Sequence, residues 1–224
     1  MSDVLPPDSQ QELLQRVHNI AGLTLAELAA QQSLTVPENL QHAKGWVGQL
    51  IETCLGASAG SRAEPDFPNL GIELKTIPLT SAGQPKETTY VCTVPLNDDI
   101  PLDWENAWIR RKLNHVLWLP IEADPDIPVG ARHIGTGLLC HLTEQQNAVL
   151  KQDWEEHMEL IATGRVDEIN AHHGTFLQVR PKAADSKALR DTTNEQGESV
   201  KTLPRGFYLR TAFTAEVLAQ HYLG

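Results

Sequence analysis

No apolar run in this chain is long enough to cross a bilayer. The N-terminus, Met-Ser-Asp-Val-Leu-Pro-Pro, lacks the basic stretch and apolar core of a secretory signal, so none is expected. Cysteine is scarce: Cys54, Cys92 and Cys140 are odd in number and far apart. That excludes a disulfide framework and paired zinc ligands, and suits free thiols in a reducing cytoplasm. There is no internal repeat and no low-complexity tract. Basic charge is also short. With 18 Lys and Arg against 29 Asp and Glu, the net charge is −11, which argues against unselective nucleic-acid binding. Distribution matters more than the total, however. The acids crowd between Glu144 and Glu168, whereas Val179 to Arg190 holds four bases and one acid. Arg110, Arg111 and Lys112 form another basic knot. Binding to DNA would require such segments to share a surface.

What is present describes a globular protein. Its 224 residues suit one sizeable domain or two small lobes around a shared core. Hydrophobic residues make up 41% and charged residues 21%. Apolar spacing predicts helices over Gln11–Ile20, after Thr24 (with Glu27 completing a capping box), and over Lys44–Leu55, Trp104–Leu113, Thr143–Thr163 and Phe213–Tyr222. Asp185–Asn194 reads as a further helix. Strands are expected over Gly71–Ile77, Thr88–Val94, His115–Ile121 and Pro204–Arg210. The first two are expected to pair as a hairpin, and a second hairpin is expected around His172-His173-Gly174. Helices and strands mix irregularly, which predicts an α/β or α+β fold with a mixed sheet. The small-residue loop Gly56–Ser61 lacks the Gly-Lys-Ser/Thr ending of a phosphate loop.

One stretch stands apart: Asp66-Phe67-Pro68-Asn69-Leu70-Gly71-Ile72-Glu73-Leu74-Lys75-Thr76. On a strand, Ile72, Leu74 and Thr76 share one face, and Glu73 and Lys75 the other. The short loop can bring Asp66 alongside. Two carboxylates close together repel, and a divalent cation resolves the repulsion. Hard oxygen donors favour Mg²⁺, which keeps waters and takes one or two carboxylates plus substrate phosphates. A lysine beside it can hold an attacking water or neutralise charge on a phosphate in transfer. The tripeptide Glu-x-Lys is common on solvated strands, so these residues alone leave both readings open. Glu52 has Gly45 and Gly48 as neighbours at helical spacing, so a ligand or backbone could approach it closely. By spacing alone it is equally an ordinary exposed helical glutamate. Adjacent His172 and His173 diverge on a strand and make a poor metal pair.

The motifs Lys44-Gly45-Trp46, Glu52, Leu55–Ser61, Asp66-Phe67, Gly71–Pro78, Arg180-Pro181-Lys182-Ala183 and Leu203–Leu209 resemble, in order, those of the MutH family. These are the strand-nicking endonucleases of methyl-directed DNA mismatch repair. The similarity runs from about Gln11 to Leu223. It implies the restriction-endonuclease-like fold, a mixed central sheet flanked by helices, with two arms that clamp DNA. An N-terminal arm (1–100) would carry catalysis and a C-terminal arm (101–224) recognition. It implies Mg²⁺, with Mn²⁺ or Ca²⁺ able to replace it in binding. Asp66, Glu73 and the Leu74 carbonyl would be ligands, Glu52 would complete the acidic cluster, and Lys75 would act on the water or the phosphorane-like charge. Lys44 and Lys112 would approach the scissile phosphate. Arg180, with Pro181 and Lys182 beside it, would read guanine, and Tyr208 would sense adenine methylation. Tyr90 stands where relatives often carry Phe; its ring would contact DNA and its hydroxyl needs a partner if buried. The implied substrate is hemimethylated or unmethylated GATC, cut 5′ to the G on the unmethylated strand. The implied partners are MutL and, indirectly, MutS, with the protein monomeric, off the membrane, cytoplasmic and associated with the nucleoid when acting. A GATC restriction enzyme cutting both strands and a catalytically silent repair scaffold are the alternatives.

Overall fold

In the computed structural model, residues 4–41, 43, 45–60, 62, 64–96, 103–182 and 189–222 are described. The chain packs as two units that interleave in sequence. One comprises Met1–Glu87 with His115–His141, the other Thr88–Asn114 with Leu142–Gly224. The boundary expected near residue 100 falls in 97–102, outside the described residues, and each unit draws on two separate stretches of chain.

The first unit begins with helices that start where their caps say they should. Ser9 caps α1 (Gln10–Ile20) by accepting the Glu12 N–H. Thr24 and Glu27 form the full capping box of α2 (Leu25–Gln31). α3 (Trp46–Leu55) ends at Gly56, whose φ of 80° is left-handed. A Cβ there would meet the Leu5 carbonyl oxygen at 2.4 Å, so both the turn and the close approach require glycine.

These helices bury their apolar stripes in one core with a mixed three-stranded sheet. β1 (Glu73–Leu79) runs parallel to β3 (His115–Glu122), from Glu73 opposite Val116 to Leu79 opposite Glu122. β4 (Leu138–His141) pairs antiparallel on the other side of β3. Val116 through Ile121 are all buried, as a central strand covered on both faces requires. Leu13, Leu50, Ile51, Phe67, Ile72, Leu74 and Leu117 meet in this core.

The second unit holds an antiparallel sheet in the order β2 (Thr89–Thr93), β8 (Arg205–Leu209), β5 (Leu177–Pro181). Helix α5 (Glu144–Ala162), capped by Thr143 with Gln146, packs against β5. α4 (Trp108–Leu113) lies against β2. β6 (Arg190–Thr193) and β7 (Ser199–Thr202) form a separate two-stranded ribbon, and α6 (Thr211–Tyr222) ends the described chain.

Three expectations need correction. β1 and β2 do not form a hairpin: β1 pairs with β3 and β2 with β8, because the buried apolar run of β3 offers β1 a longer ladder than the short β2 does. The His172-His173-Gly174 turn does not join two strands. Val166–Glu168 is a 3₁₀ turn and β5 pairs with β8. The helix expected over Asp185–Asn194 is a strand where it is described, Arg190–Thr193, in register with Ser199–Thr202; residues 185–188 lie outside the described residues. Helical spacing could not foresee that its partner lies just beyond the turn at Asn194–Gly197.

Candidate active site

Asp66 and Glu73 are brought together by a tight reversal of the chain. Phe67 and Ile72 form an isolated antiparallel bridge, with N–H to O distances of 2.9 and 3.3 Å. Pro68–Leu70 makes a 3₁₀ turn between them, closed by Gly71 at φ 65°. Residues 66 and 73 therefore flank the bridge side by side. The Asp66 carboxylate accepts the Leu74 backbone N–H at 2.8 Å, which places it against the peptide linking Glu73 to Leu74. Its own carbonyl accepts the N–H groups of Ser58 and Ala59 at 3.0 and 3.4 Å. The small-residue loop after α3 is thus the brace that fixes Asp66, and its glycines serve folding.

Glu73 is 1% exposed, so the Glu–Lys face of β1 is not a solvated surface. Ile77, on the same side further along the strand, is buried as well. The Lys75 ammonium donates to Glu73 Oε1 and is itself 14% exposed. An ion pair so far from water is worth little to stability by itself, because the desolvation of both groups offsets their attraction.

Glu52 lies on α3, half-buried, where a Cβ at Gly48 would come within 3.8 Å of its Oε1. The bare helix face beside it was legible from the spacing. Among the described residues, no three His, Cys, Asp or Glu side chains gather closely enough to hold a metal by themselves. The oxygens that could hold an ion here are two carboxylates and a backbone carbonyl. That suits Mg²⁺, which completes its octahedron with waters and substrate oxygens, and does not suit a closed zinc site. Burial pushes the Cys54 thiol up to about 11, so it stays protonated.

The remaining candidates stand in the second unit. Tyr90 lies directly opposite Tyr208, their ring centroids 5.3 Å apart and nearly edge to face. Gly206 opens the space for both, since a Cβ there would touch Cε2 of each ring at 3.0 Å. Two cations cover the rings. Arg180 lies 5.5 Å from the Tyr208 centroid, and Lys182 Nζ lies 3.5 Å from that of Tyr90. Arg180 also donates to Thr88 Oγ1 at 3.0 Å, and Pro181 is exposed between the two bases. The Tyr90 hydroxyl finds its partner in Thr93 Oγ1 at 3.2 Å. Burial first, and Tyr90 beside it second, push the Tyr208 phenol up, so it stays protonated. A polar, cationic and aromatic face of this kind is suited to a nucleic-acid edge. Lys112 sits on α4 with its ammonium 5.4 Å from the Trp108 centroid. Lys44 lies outside the described residues.

Sequence reading missed the residue that sets this sheet in place. The acids crowded between Glu144 and Glu168 are not all at the surface: Asp153 is 3% exposed. Its carboxylate accepts the N–H groups of Thr175, Phe176 and Leu177 at 2.7 to 2.8 Å. It thereby anchors the start of β5, three residues before Arg180. The only signal was its position beside Trp154, on the apolar side of the helix.

Comparison with known proteins gives the family. Residues 55–153 match the family described as "DNA mismatch repair enzyme MutH". The DNA mismatch repair protein MutH of Shewanella baltica is 54% identical over 218 residues, covering 97% of this chain and 98% of that protein. Those of Shewanella oneidensis and Vibrio parahaemolyticus are 52% and 51% identical, each over 97% of this chain. The chain belongs to the MutH family of DNA mismatch repair enzymes and is an endonuclease of the restriction-endonuclease-like fold.

Proposed function

We propose that this protein is a Mg²⁺-dependent endonuclease that nicks the unmethylated strand 5′ to the G of hemimethylated GATC during mismatch repair. The observation that carries the reading is the Asp66 carboxylate lying against the peptide that follows buried Glu73, with Lys75 bonded to Glu73. Asp66, Glu73 and the Leu74 carbonyl would hold the ion, with Glu52 completing the acidic cluster. Bound there, Mg²⁺ supplies Lewis-acid polarisation of the phosphate and acidifies an attacking water. Lys75 would orient that water or stabilise charge on the non-bridging oxygens as the leaving oxygen departs. Its pairing with Glu73 keeps the ammonium aimed into the site until substrate arrives.

Recognition falls to the tyrosine face. Arg180 can pair bidentately with guanine O6 and N7 in the major groove. Tyr208 would pack where an N6 methyl group lies and reject the doubly methylated duplex by collision. Lys44, Tyr90, Lys112, Pro181 and Lys182 would contact the DNA around it. The relatives' role in mismatch repair supports activation by MutL, itself engaged by mismatch-bound MutS, on the bacterial chromosome in the cytoplasm.

The test is a supercoiled plasmid with one hemimethylated GATC, incubated with and without Mg²⁺ and with and without MutL. Nicked circles are expected only with Mg²⁺, cut on the unmethylated strand, and faster with MutL. Linear product, or equal nicking without a divalent ion, would overturn the reading.

A further inference from the structure

We infer that Gln178, facing Tyr208 across the sheet, reads the major-groove edge of the adenine on the unmethylated strand and so couples base choice to methylation state. The inference rests on the GATC reading above and deepens it.

Gln178 is directly opposite Tyr208 in the β5–β8 ladder, and Tyr208 is opposite Tyr90. Residues directly opposite on antiparallel strands share a face, as do residues two apart on one strand. Gln178 therefore lies on the same face as Tyr90, Tyr208 and Arg180, and Arg180's contact with the Tyr208 ring fixes which face that is. The other face carries Leu177, Val179 and Phe207 into the core, toward His157 of α5. Gln178 is 9% exposed. A side chain held this closely by its neighbours is pre-ordered for a ligand and loses little rotamer freedom on binding.

The amide has one donor side and one acceptor side. In the major groove that pattern is matched by adenine, which offers N7 as acceptor and N6–H as donor. It also stands two residues from the arginine suited to guanine, and so next to it on the strand, as the G-A step of the target requires. Of the two N6 hydrogens, one pairs with thymine and the other faces the groove. A methyl group in a paired duplex takes the groove-facing place. Methylation thus removes the one hydrogen that Gln178 can accept and puts bulk in its path. The strand read by Gln178 must then be the unmethylated one.

Three duplexes test this, with binding measured in Ca²⁺ and nicking in Mg²⁺. One holds unmethylated GATC, one holds 7-deazaadenine in place of that adenine, and one lacks GATC. The native protein is expected to lose about tenfold or more in affinity on the deaza duplex. Gln178→Leu should bind GATC about ten- to a hundredfold more weakly and bind both GATC duplexes equally. Gln178→Glu keeps the shape but sets a carboxylate against N7; it should melt like the native protein and fail to select GATC. Either variant binding and nicking GATC as the native protein does, or Gln178→Leu still losing affinity to the deaza substitution, overturns the inference. If the native protein prefers GATC but ignores the deaza substitution, Gln178 alone is removed from recognition. If it shows no preference for GATC at all, the proposed function falls with it.

Discussion

Asp66 holds the backbone of Leu74: its carboxylate accepts that N–H at 2.8 Å. The same side chain thus has a folding task beside the metal-binding one proposed for it, and two substitutions separate them. Asparagine retains an oxygen acceptor for the N–H, whereas alanine leaves a part-buried donor unpaired. Asp66→Asn is expected to melt within about 0.5 kcal/mol of the native protein, and Asp66→Ala to lose about 1–3 kcal/mol. Both should be inactive in Mg²⁺. Denaturant unfolding and the plasmid assay together check this. An Asp66→Asn protein that nicks normally would remove the residue from metal binding.

Glu73 and Lys75 give a sharper case, because each neutralises the other out of water. Glu73→Ala should abolish Mg²⁺-dependent nicking, by at least about a hundredfold, while leaving DNA binding largely in place. It should also strand the Lys75 ammonium where only 14% is exposed, which costs several kcal/mol when a buried pair is broken. The double substitution Glu73→Ala with Lys75→Met should recover part of that stability and none of the activity. Stability returning together with nicking would contradict a chemical role for the pair.

How far the chain could be read without coordinates depended on how local the determinants were. The capping box at Thr24 and the ends of α1, α3 and α5 follow from neighbouring residues, and the structure matches them closely. The juxtaposition of Asp66 and Glu73 was also legible, since only a short turn separates them. Strand partners were not. β1 meets a strand some 40 residues away, and β2 one more than 110 away, and neither sequence separation leaves a mark on the pattern. Nor could spacing distinguish Asp153 from the solvated acids around it. Three backbone donors from residues 175–177 make the difference, and they arrive from another element. Gln178 escaped for the same reason: its face became visible only through register with Tyr208.

Tyr208 is held between Tyr90, 5.3 Å away, and Arg180 above its ring. Its role in rejecting methylated DNA should be steric, so the ring matters and the hydroxyl does not. Tyr208→Phe is expected to keep the preference for hemimethylated over fully methylated GATC, and Tyr208→Ala to narrow it about tenfold or more. The ratio of nicking rates on the two duplexes is the measure. An unchanged ratio in the alanine variant would assign the methyl to another residue.

His157 allows a prediction about pH. The ring is 0% exposed, with Nε2 3.3 Å from the Leu177 carbonyl, on the same helix as the Asp153 that pins the start of β5. Desolvation by burial pulls its pKa below the ordinary 6.5, outweighing the raising effects of the Leu177 carbonyl, Glu156 and Asp153. The folded chain therefore resists the proton that the unfolded chain accepts. Above about pH 6.5 neither state is protonated and the group contributes no pH dependence. As pH falls through that value the unfolded state takes up the proton first, and stability declines by up to about 1.4 kcal/mol per pH unit until the folded pKa is reached. His157→Leu removes the titration while filling much of the same volume. Unfolding measured at pH 7.5 and 5.5 should show the native protein losing stability more steeply than the variant. Parallel losses would mean that the proton is taken up elsewhere.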